Sequence, residues 1–272
     1  MMTIQEQIEY IKISDYIQEY ILETEEELKK FLDTLFSHGT KAANLFLLDR
    51  GLREISNSSH LENARYSDHL LAFYENKFSK EKNLSEDLIK QLHTSIIDEQ
   101  HKDIVKPGTY RTTPGWVGPK DCSLEKARFV ALKEELIESY MNDFVSFYNE
   151  KGEKDAYQPF IQSALIHVYF TMIHPFNDGN GRVARILQTQ KITDWVKEQY
   201  GYDILYPILN LSQNYELTRG NYYENQNNIS FQEYNSYSFE KWFNYTLNII
   251  NEQLYFVQNK LKENEKTLQL LK

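Results

Sequence analysis

Cysteine is nearly absent from this 272-residue chain, whose single thiol is Cys122. One cysteine excludes an internal disulfide and leaves no basis for a cysteine-ligated zinc site. No histidine stands beside Cys122 in the sequence. We therefore interpret it as an unreactive thiol rather than a nucleophile.

Long apolar runs are absent as well. The sequence contains no run of about 18 apolar residues, so it predicts no membrane span. The start of the chain is polar and lacks the apolar region of a signal peptide. The net charge is −10, from 30 Lys and Arg against 40 Asp and Glu, which disfavours binding to nucleic acid. We expect a cytoplasmic protein with no membrane partner and no nucleic-acid partner. A local basic cleft that binds one nucleotide remains compatible with the negative net charge.

Glycine and proline are scarce, at 10 and 6 residues, so their positions are informative. Six of these sixteen lie in Pro107–Pro119, which excludes a regular helix there. Elsewhere apolar residues recur at helical spacing, and a hydrophobic content of 41% indicates a folded protein. The expected fold is therefore mostly α.

The periodicity predicts eight helical segments, one of which stands out. Residues 159–173 are apolar on all sides, which indicates a buried central helix. A capping box of Asn83 and Glu86 opens another helix. We interpret the chain as a helical domain at residues 56–272 after a helical extension at residues 1–55. The predicted helices are residues 4–36, 41–52, 56–69, 84–100, 124–148, 159–173, 182–199 and 239–271, the last of which is either one long helix or a pair.

The clearest chemical pattern lies just after the central helix, in the segment His174–Arg185. The proline that follows His174 disfavours helical backbone at this histidine. Residues Asn177–Gly181 tolerate positive φ, and the amides of such a loop can form an anion-binding nest. The next helix is predicted to begin near Asn180, and a helix N-terminus attracts phosphate.

The charged residues of the same segment suit nucleotide chemistry. Arg182 and Arg185 share one helix face and offer forked donors to phosphate oxygens. Asp178 can hold Mg²⁺ together with a polyphosphate, and His174 is the group able to take a proton near pH 7. Each feature alone is more often a turn or a helix cap. Their coincidence in one segment indicates phosphoryl or nucleotidyl transfer.

These twelve residues resemble the Fic family signature, His-x-Phe-x-(Asp/Glu)-Gly-Asn-Gly-Arg-x-x-Arg, at every fixed position. The resemblance extends from about residue 58 to about residue 250. It implies a helical bundle with a small β-hairpin flap. It also implies a protein adenylyltransferase that uses ATP with Mg²⁺ or Mn²⁺ to place AMP on a Tyr, Ser or Thr hydroxyl of a target protein. The kinase-like members of the family replace the Gly-Asn-Gly part, which is intact here.

The resemblance also implies a role for each residue of the signature. His174 would deprotonate the target hydroxyl, Asp178 would bind the metal, and Phe176 would pack beneath the loop and fix it. Arg182 would contact the β-phosphate and Arg185 the γ-phosphate. The implied nucleotide-binding set is Phe176, Gly179, Asn180, Gly181, Arg182 and Arg185.

The segment Pro107–Pro119 resembles the family flap, a hairpin beside the active site, whereas the plainer interpretation is a surface turn. An extended target segment would add to the flap edge through main-chain hydrogen bonds. The docking residues so implied are Thr109, Tyr110, Arg111, Thr112, Trp116 and Val117.

An upstream sequence, Ser-Ser-His-Leu-Glu-Asn, resembles the inhibitory motif of Fic proteins with an N-terminal inhibitory helix, here about residues 56–70. The resemblance makes Ser58, Glu62 and Asn63 a brake in which Glu62 pairs with Arg185 in place of the γ-phosphate. A carboxylate can compete with a phosphate for one guanidinium. The alternative is an ordinary helix capped by Ser58.

Other functions stay open at this stage. A hydrolase of the same fold would use Glu62 to activate water and remove AMP from a modified protein. A non-catalytic nucleotide sensor would lack a base, whereas His174 is intact. A metal site of His167, His174 and Asp178 is a further alternative, but the implied role of His174 needs a free imidazole.

The expected partner is a target protein bearing a hydroxyl side chain, and self-modification and a homo-oligomer are left open. The family places adenine near the C-terminal half of the fold. Four aromatic residues there are interpreted as core or as surroundings of the base, namely Tyr222, Tyr223, Trp242 and Phe243.

Overall fold

A computed structural model describes residues 1–62, 70, 73–78, 80–81, 83–97, 105–117 and 124–271. Two short strands, β1 (Trp116–Val117) and β2 (Phe129–Val130), form an antiparallel hairpin. This confirms the predicted mostly helical fold with a small hairpin. The helices are α1 (Ile4–Ile8), α2 (Asp15–Ser37), α3 (Thr40–Leu61), α4 (Glu86–Ile96), α5 (Ile137–Asn149), α6 (Pro159–Ile173), α7 (Asn180–Tyr200), α8 (Leu211–Leu217), α9 (Arg219–Asn227) and α10 (Ser236–Leu270), with 3-10 turns at Leu124–Lys126, Glu134–Leu136 and Asp155–Tyr157 and a π-helical turn at Tyr74–Phe78.

Helix α6 is the centre of the bundle, as its composition predicts. All of its residues from Phe160 to Ile173 are buried. It packs along α7, and Trp242 of α10 donates its indole N–H to the Ala164 carbonyl at 2.8 Å. The end of α6 and the start of α7 are therefore fixed by the core. In the part of the chain that the structure describes, no helix is both long and apolar enough to cross a membrane.

The N-terminal region has two helices where one was expected at residues 4–36. A capping box of Thr3 and Glu6 opens the five-residue α1. The chain then leaves helical geometry, and the Asp155 carboxylate accepts the Ile13 N–H at 3.0 Å. A contact distant in sequence thus replaces an intrahelical bond. Helix α3 runs across the expected division at residue 55, and the division into two parts stays a prediction.

Helix α3 is continuous where two separate helices were expected at residues 41–52 and 56–69. Gly51 lies within this helix and does not interrupt it. Ser58 lies inside this helix, so the interpretation of Ser58 as a helix cap is wrong. Residues 63–69 lie outside the described residues.

The single helix expected at residues 124–148 is also wrong. Backbone groups in its first half form other bonds: the Ala131 N–H donates to the Gly115 carbonyl at 3.0 Å, and the Leu132 N–H to the Met172 carbonyl at 3.1 Å. The chain therefore forms β2 before α5 begins. A helical periodicity cannot signal such pairing, because the partners lie elsewhere in the sequence.

The start of α4 differs from the predicted capping box. Ser85 is the N-cap, and its hydroxyl accepts the Leu88 N–H at 3.1 Å. The Asn149 side chain binds both the N–H and the carbonyl of Leu84 at 2.8 Å, which keeps Leu84 outside the helix. Helices α8 and α9 were not predicted, whereas α10 is the long C-terminal helix expected at residues 239–271.

Candidate active site

His174 ends α6 in a left-handed conformation, with φ 51° and ψ 58°. Residues other than glycine rarely adopt this conformation, and Pro175 disfavours continuation of the right-handed helix at the residue before it. The His174 N–H still donates to the Phe170 carbonyl at 2.9 Å. The end of the central helix therefore fixes the position of the ring.

The half-buried imidazole of His174 is held in its neutral form. Burial lowers its pKa to about 4, although the Thr171 carbonyl, Glu62 and Asp178 favour the proton. Nδ1 lies 3.2 Å from the Thr171 carbonyl oxygen. A carbonyl only accepts, so Nδ1 carries the hydrogen and Nε2 keeps its lone pair. His174 can therefore accept a proton through Nε2 at neutral pH.

Asn180 fastens the loop between α6 and α7. Its Oδ1 accepts the Phe176 N–H at 2.9 Å, and its Nδ2 donates to the Phe176 carbonyl at 2.8 Å. The residue is only 2% exposed, so both atoms of its amide serve the loop. The expected contact of the Asn180 side chain with a phosphate is therefore wrong. Only the main-chain N–H of Asn180 could make such a contact.

Phe176 supports the loop from below. Its ring is fully buried and stacks on His93, with ring centroids 3.7 Å apart and planes inclined by 6°. It does not line the cleft described below. Its place in the expected nucleotide-binding set is therefore corrected to a packing role.

His93 was not found from the sequence. Its Nδ1 accepts the Gly108 N–H at 2.8 Å, and its Nε2 donates to the Asp178 carbonyl at 2.9 Å. Burial lowers the pKa of His93 to about 4, so the neutral ring joins the start of the flap segment to the loop. A single histidine on an amphipathic helix carries no sequence signal for this role.

Asp178 places a carboxylate at the surface of the loop. Its side chain is 59% exposed, and Oδ2 lies 3.2 Å from the Arg182 guanidinium. Oδ1 accepts the Gly179 N–H at 2.6 Å. Arg182 itself is buried and donates to the Ile96 carbonyl at 2.9 Å. Asp178 thus presents carboxylate oxygens to solvent just before α7, whereas the Arg182 side chain that contacts it is buried.

No three His, Cys, Asp or Glu side chains of the described residues are grouped so as to hold a metal ion. A Mg²⁺ ion at Asp178 would then have one protein carboxylate, and its other ligands would be phosphate oxygens and water. This donor set is the one that Mg²⁺ prefers in nucleotide sites. The exposed carboxylate of Asp178 therefore fits the expected metal.

The first turn of α7 is an anion site by its geometry. Gly179 has φ 80°, and the helix begins at Asn180. The amides of its first turn have no acceptor within the helix, and the helix dipole is positive there. A negatively charged group in front of Gly181 is therefore stabilised.

The Glu62 carboxylate occupies this position. A Cβ on Gly181 would lie 2.4 Å from Glu62 Oε1, so only glycine leaves room for the carboxylate there. Oε1 also lies 2.9 Å from the guanidinium of Arg185, which is fully buried. Ser58 completes this contact, since its hydroxyl and its carbonyl accept from Arg185 at 2.9 and 3.0 Å. Asn63, the third expected residue of the brake, lies outside the described residues.

A chain of buried hydrogen bonds leads from Arg185 into the core. Arg185 donates to the Tyr222 hydroxyl at 3.2 Å, and this hydroxyl lies 2.9 Å from His167 Nε2. His167 Nδ1 lies 2.8 Å from Oε1 of the Gln188 side-chain amide. Burial lowers the pKa of His167 to about 3. Because both ring nitrogens are bonded within the core, His167 is not a metal ligand.

His174 and the start of α7 face one cleft of about 640 Å³. This volume is typical of small-molecule sites. Helix α9 forms a wall that sequence reasoning did not identify, because it carries no motif. Tyr223 lines this wall, whereas Trp242 and Phe243 are core residues. The lining residues are Glu62, Val117, Arg128, Phe129, Thr171, His174, Gly181, Arg219, Gly220, Tyr222, Tyr223, Gln226 and Asn227.

The hairpin closes one side of this cleft. Trp116 and Val117 of the expected flap form β1, and both are exposed at 42%. The second strand is β2, which lies beyond the expected range of residues 107–119. Residues 118–123, which include Cys122, lie outside the described residues.

Arg111 faces inward, in contrast to its expected docking role. It is 3% exposed and donates to the His174 carbonyl at 2.7 Å and the Thr113 carbonyl at 2.8 Å. Its backbone N–H donates to the Pro175 carbonyl at 2.8 Å. Arg111 therefore holds the backbone at His174, and its burial keeps it away from a target.

Tyr110 likewise faces the loop. Its hydroxyl donates to Glu86 at 2.8 Å, and its ring centroid lies 5.4 Å from that of Phe176. Thr109 and Thr112 are exposed but belong to no strand. Within the expected docking set, only the two residues of β1 lie in the hairpin.

The comparison with protein families matches residues 83–190 to the Fic/DOC family. The protein adenylyltransferase fic-1 of Caenorhabditis elegans is 32% identical over 104 residues, which are 38% of this chain and 18% of that protein. A Fido domain-containing protein of Dictyostelium discoideum is 32% identical over 105 residues, 39% of this chain and 64% of that protein. The chain thus spans less than a fifth of the length of the nematode relative.

Solved structures match over a longer part of the chain. A Fic family protein of Desulfovibrio desulfuricans aligns with a TM-score of 0.65 at 18% identity, over 92% of this chain and 76% of that one. A Fic domain-containing signaling protein of Bacteroides thetaiotaomicron aligns with a TM-score of 0.56 at 20% identity, over 87% and 97%. At such identities the likeness shows the fold alone.

Proposed function

We propose that this protein, whose residues 83–190 match the Fic/DOC family, transfers AMP from ATP to hydroxyl side chains of target proteins. One observation carries the proposal. A neutral histidine, His174, and a helix N-terminus suited to phosphate line the same cleft. A base beside an anion site is what transfer of a phosphate-linked group to a hydroxyl requires.

The reaction follows from this arrangement. The target hydroxyl gives its proton to Nε2 of His174, and its oxygen attacks the α-phosphorus of ATP. The bond from the α-phosphorus to the bridging oxygen breaks, so AMP stays on the target and pyrophosphate leaves. The first-turn amides of α7 would stabilise the phosphate charge. The name of the nematode relative, a protein adenylyltransferase, supports this reaction.

Asp178 is the residue we propose for Mg²⁺ or Mn²⁺. The bound cation would neutralise part of the negative charge of the phosphates. The contribution of the chain itself is to hold the carboxylate still. The Gly179 N–H and Arg182 bind its two oxygens, and His93 holds the backbone carbonyl of the same residue.

We further propose that Glu62 restrains the reaction. Its carboxylate lies at the first turn of α7 and pairs with Arg185, so a phosphate bound there would have to displace it. The triphosphate would then bind out of line for attack on the α-phosphorus, and misplacement of about 1 Å can cost about 100-fold in rate. ATP would bind, but transfer would be slow.

Labelled ATP tests the proposed reaction. The Glu62→Gly variant is incubated with host lysate and ATP labelled on either the α- or the γ-phosphate, with Glu62→Gly/His174→Ala as the control. We expect label from the α-phosphate only, on protein, with loss of about 10²–10⁴ in rate in the control. Label from the γ-phosphate would indicate phosphate transfer, and no label from either would contradict the proposed function.

A further inference from the structure

A second cavity of about 360 Å³ adjoins the active-site cleft. The two cavities share Arg128, Phe129 and Asn227 in their linings. Beyond these residues, the second cavity lies between β2 with residues 131–133 on one side and residues 229–232 on the other. The cleft and this cavity together are termed the flap groove, which leads from His174 along β2.

The edge of β2 in the flap groove is suited to an extended chain. The Ala131 N–H donates to the Gly115 carbonyl at 3.0 Å. In an antiparallel pair this register directs the N–H and carbonyl of Val130 away from β1. The Phe129 ring centroid lies 6.2 Å from that of His174. A segment paired with Val130 would therefore pass the imidazole.

The charge of the flap groove is opposite to that of the chain. Its lining contains the cations Arg128, Lys133 and Arg219, and among the described lining residues the only carboxylate is Glu62, which is paired with Arg185. Arg128 and Lys133 are exposed, and neither forms an ion pair with a described residue. A net charge of −10 for the whole chain makes this local excess of positive charge notable.

The floor of the second cavity is apolar. Met172 is 3% exposed, and Ile229 and Phe231 are 2% and 6% exposed. A target side chain in this part of the groove would contact buried hydrocarbon. The groove thus joins a strand edge, an apolar floor and unpaired cations.

We propose that the flap groove selects extended target segments in which acidic side chains flank the residue that receives AMP. The inference rests on the proposed AMP transfer and names its substrate class. Strand residues rise about 3.3 Å each, so Arg128, just before β2, and Lys133, three residues after it, would meet side chains within about four positions of the acceptor. Charge complementarity of this kind steers association and excludes wrong partners.

The test uses short synthetic peptides with one acceptor, Tyr or Thr, and the activated Glu62→Gly chain. The residues two to four positions to either side of the acceptor are acidic, neutral amide or Lys, and kcat/KM is measured with α-labelled ATP. Self-modification of the same chain is followed in parallel. We expect acidic peptides to exceed neutral ones by about fivefold, as two exposed ion pairs would give, with Lys peptides the poorest.

Charge reversal locates the effect. The Arg128→Glu/Lys133→Glu variant should prefer Lys peptides, whereas Lys12→Glu/Lys41→Glu makes the same change in net charge outside the groove and should keep the preference for acidic peptides. Equal rates for the three peptides, or a preference that survives reversal in the groove, would overturn the inference. So would self-modification without modification of any peptide. Absence of both reactions would instead contradict the proposed AMP transfer and remove the basis of the inference.

Discussion

Replacing Glu62 by glutamine removes the charge that holds Arg185 while it preserves the size of the side chain. Loss of one partner from a buried ion pair costs about 3–5 kcal/mol. Here the guanidinium keeps three acceptors, two on Ser58 and one on Tyr222, and Glu62 is 29% exposed. We therefore expect Glu62→Gln to lose about 1–2 kcal/mol, less than that range, because the pair is partly exposed and the glutamine amide oxygen can still accept a hydrogen bond from Arg185.

The same variant should gain more from ATP than the wild type. In the variant a phosphate has to displace only a neutral amide at Arg185, whereas in the wild type it must displace a carboxylate. A ligand at about 100 times its Kd adds about 2.7 kcal/mol. Without nucleotide, the Tm of the variant should be lower by about 2–6 °C, and saturating Mg-ATP should reduce or reverse this difference.

Thermal unfolding with and without Mg-ATP measures both effects. Glu263→Gln is the matched control, since Glu263 forms an exposed pair with Lys260 and exposed pairs contribute little. Equal ATP-induced rises in Tm for the wild type and Glu62→Gln would refute the idea that Glu62 and a phosphate compete for Arg185.

Three further predictions concern the metal, the core and the flap. Asp178→Ala should reduce AMP transfer and weaken its dependence on Mg²⁺, and undiminished transfer by the parent chain in excess EDTA would contradict a metal role. His167→Gln should flatten the acid dependence of stability. The pKa of His167 is about 3 in the fold and about 6.5 in the unfolded chain, so in the wild type this group lowers the free energy of unfolding by about 1.4 kcal/mol per pH unit as pH falls from about 6 to about 4. Urea unfolding across that range should show the slope reduced by this amount in the variant, while His93 and His174, whose pKa values are also lowered, keep their own contributions. An unchanged slope would mean that His167 is not buried in its neutral form. Val130→Pro removes one outward N–H of β2 and should reduce target modification far more than ATP binding, with Val130→Ala as the control; equal loss of both would indicate misfolding.

Local chemistry accounts for the features that the sequence predicted well. The proline after His174 disfavours right-handed helical backbone at this histidine, and glycine tolerates positive φ at position 179. The structure has left-handed backbone at both His174 and Gly179. The uniformly apolar residues 159–173 require burial on all sides, which only a central helix provides. The contact between Glu62 and Arg185 was implied by the resemblance, and the two side chains lie 2.9 Å apart.

The missed features depend on partners far away in the sequence. His93 binds a carbonyl 85 residues later, Arg111 one 63 residues later, and Tyr222 a guanidinium 37 residues earlier. Strand β2 forms in a segment with helical periodicity because β1 satisfies its backbone. Neither periodicity nor residue type contains this information, since it arises only when the helices have packed.

The central claim is that Glu62 restrains a chain otherwise competent for AMP transfer. The most direct test is the rate of transfer from α-labelled ATP by the wild type, Glu62→Gly and Glu62→Gly/Arg185→Ala, with protein-bound AMP and its removal both followed. We predict that Glu62→Gly gains transfer by orders of magnitude, seen first as self-modification, and that the added Arg185→Ala change cancels the gain. A Glu62→Gly variant that gains no transfer and loses an AMP-removing activity would assign the chain to hydrolysis. A variant with neither activity altered would contradict the brake.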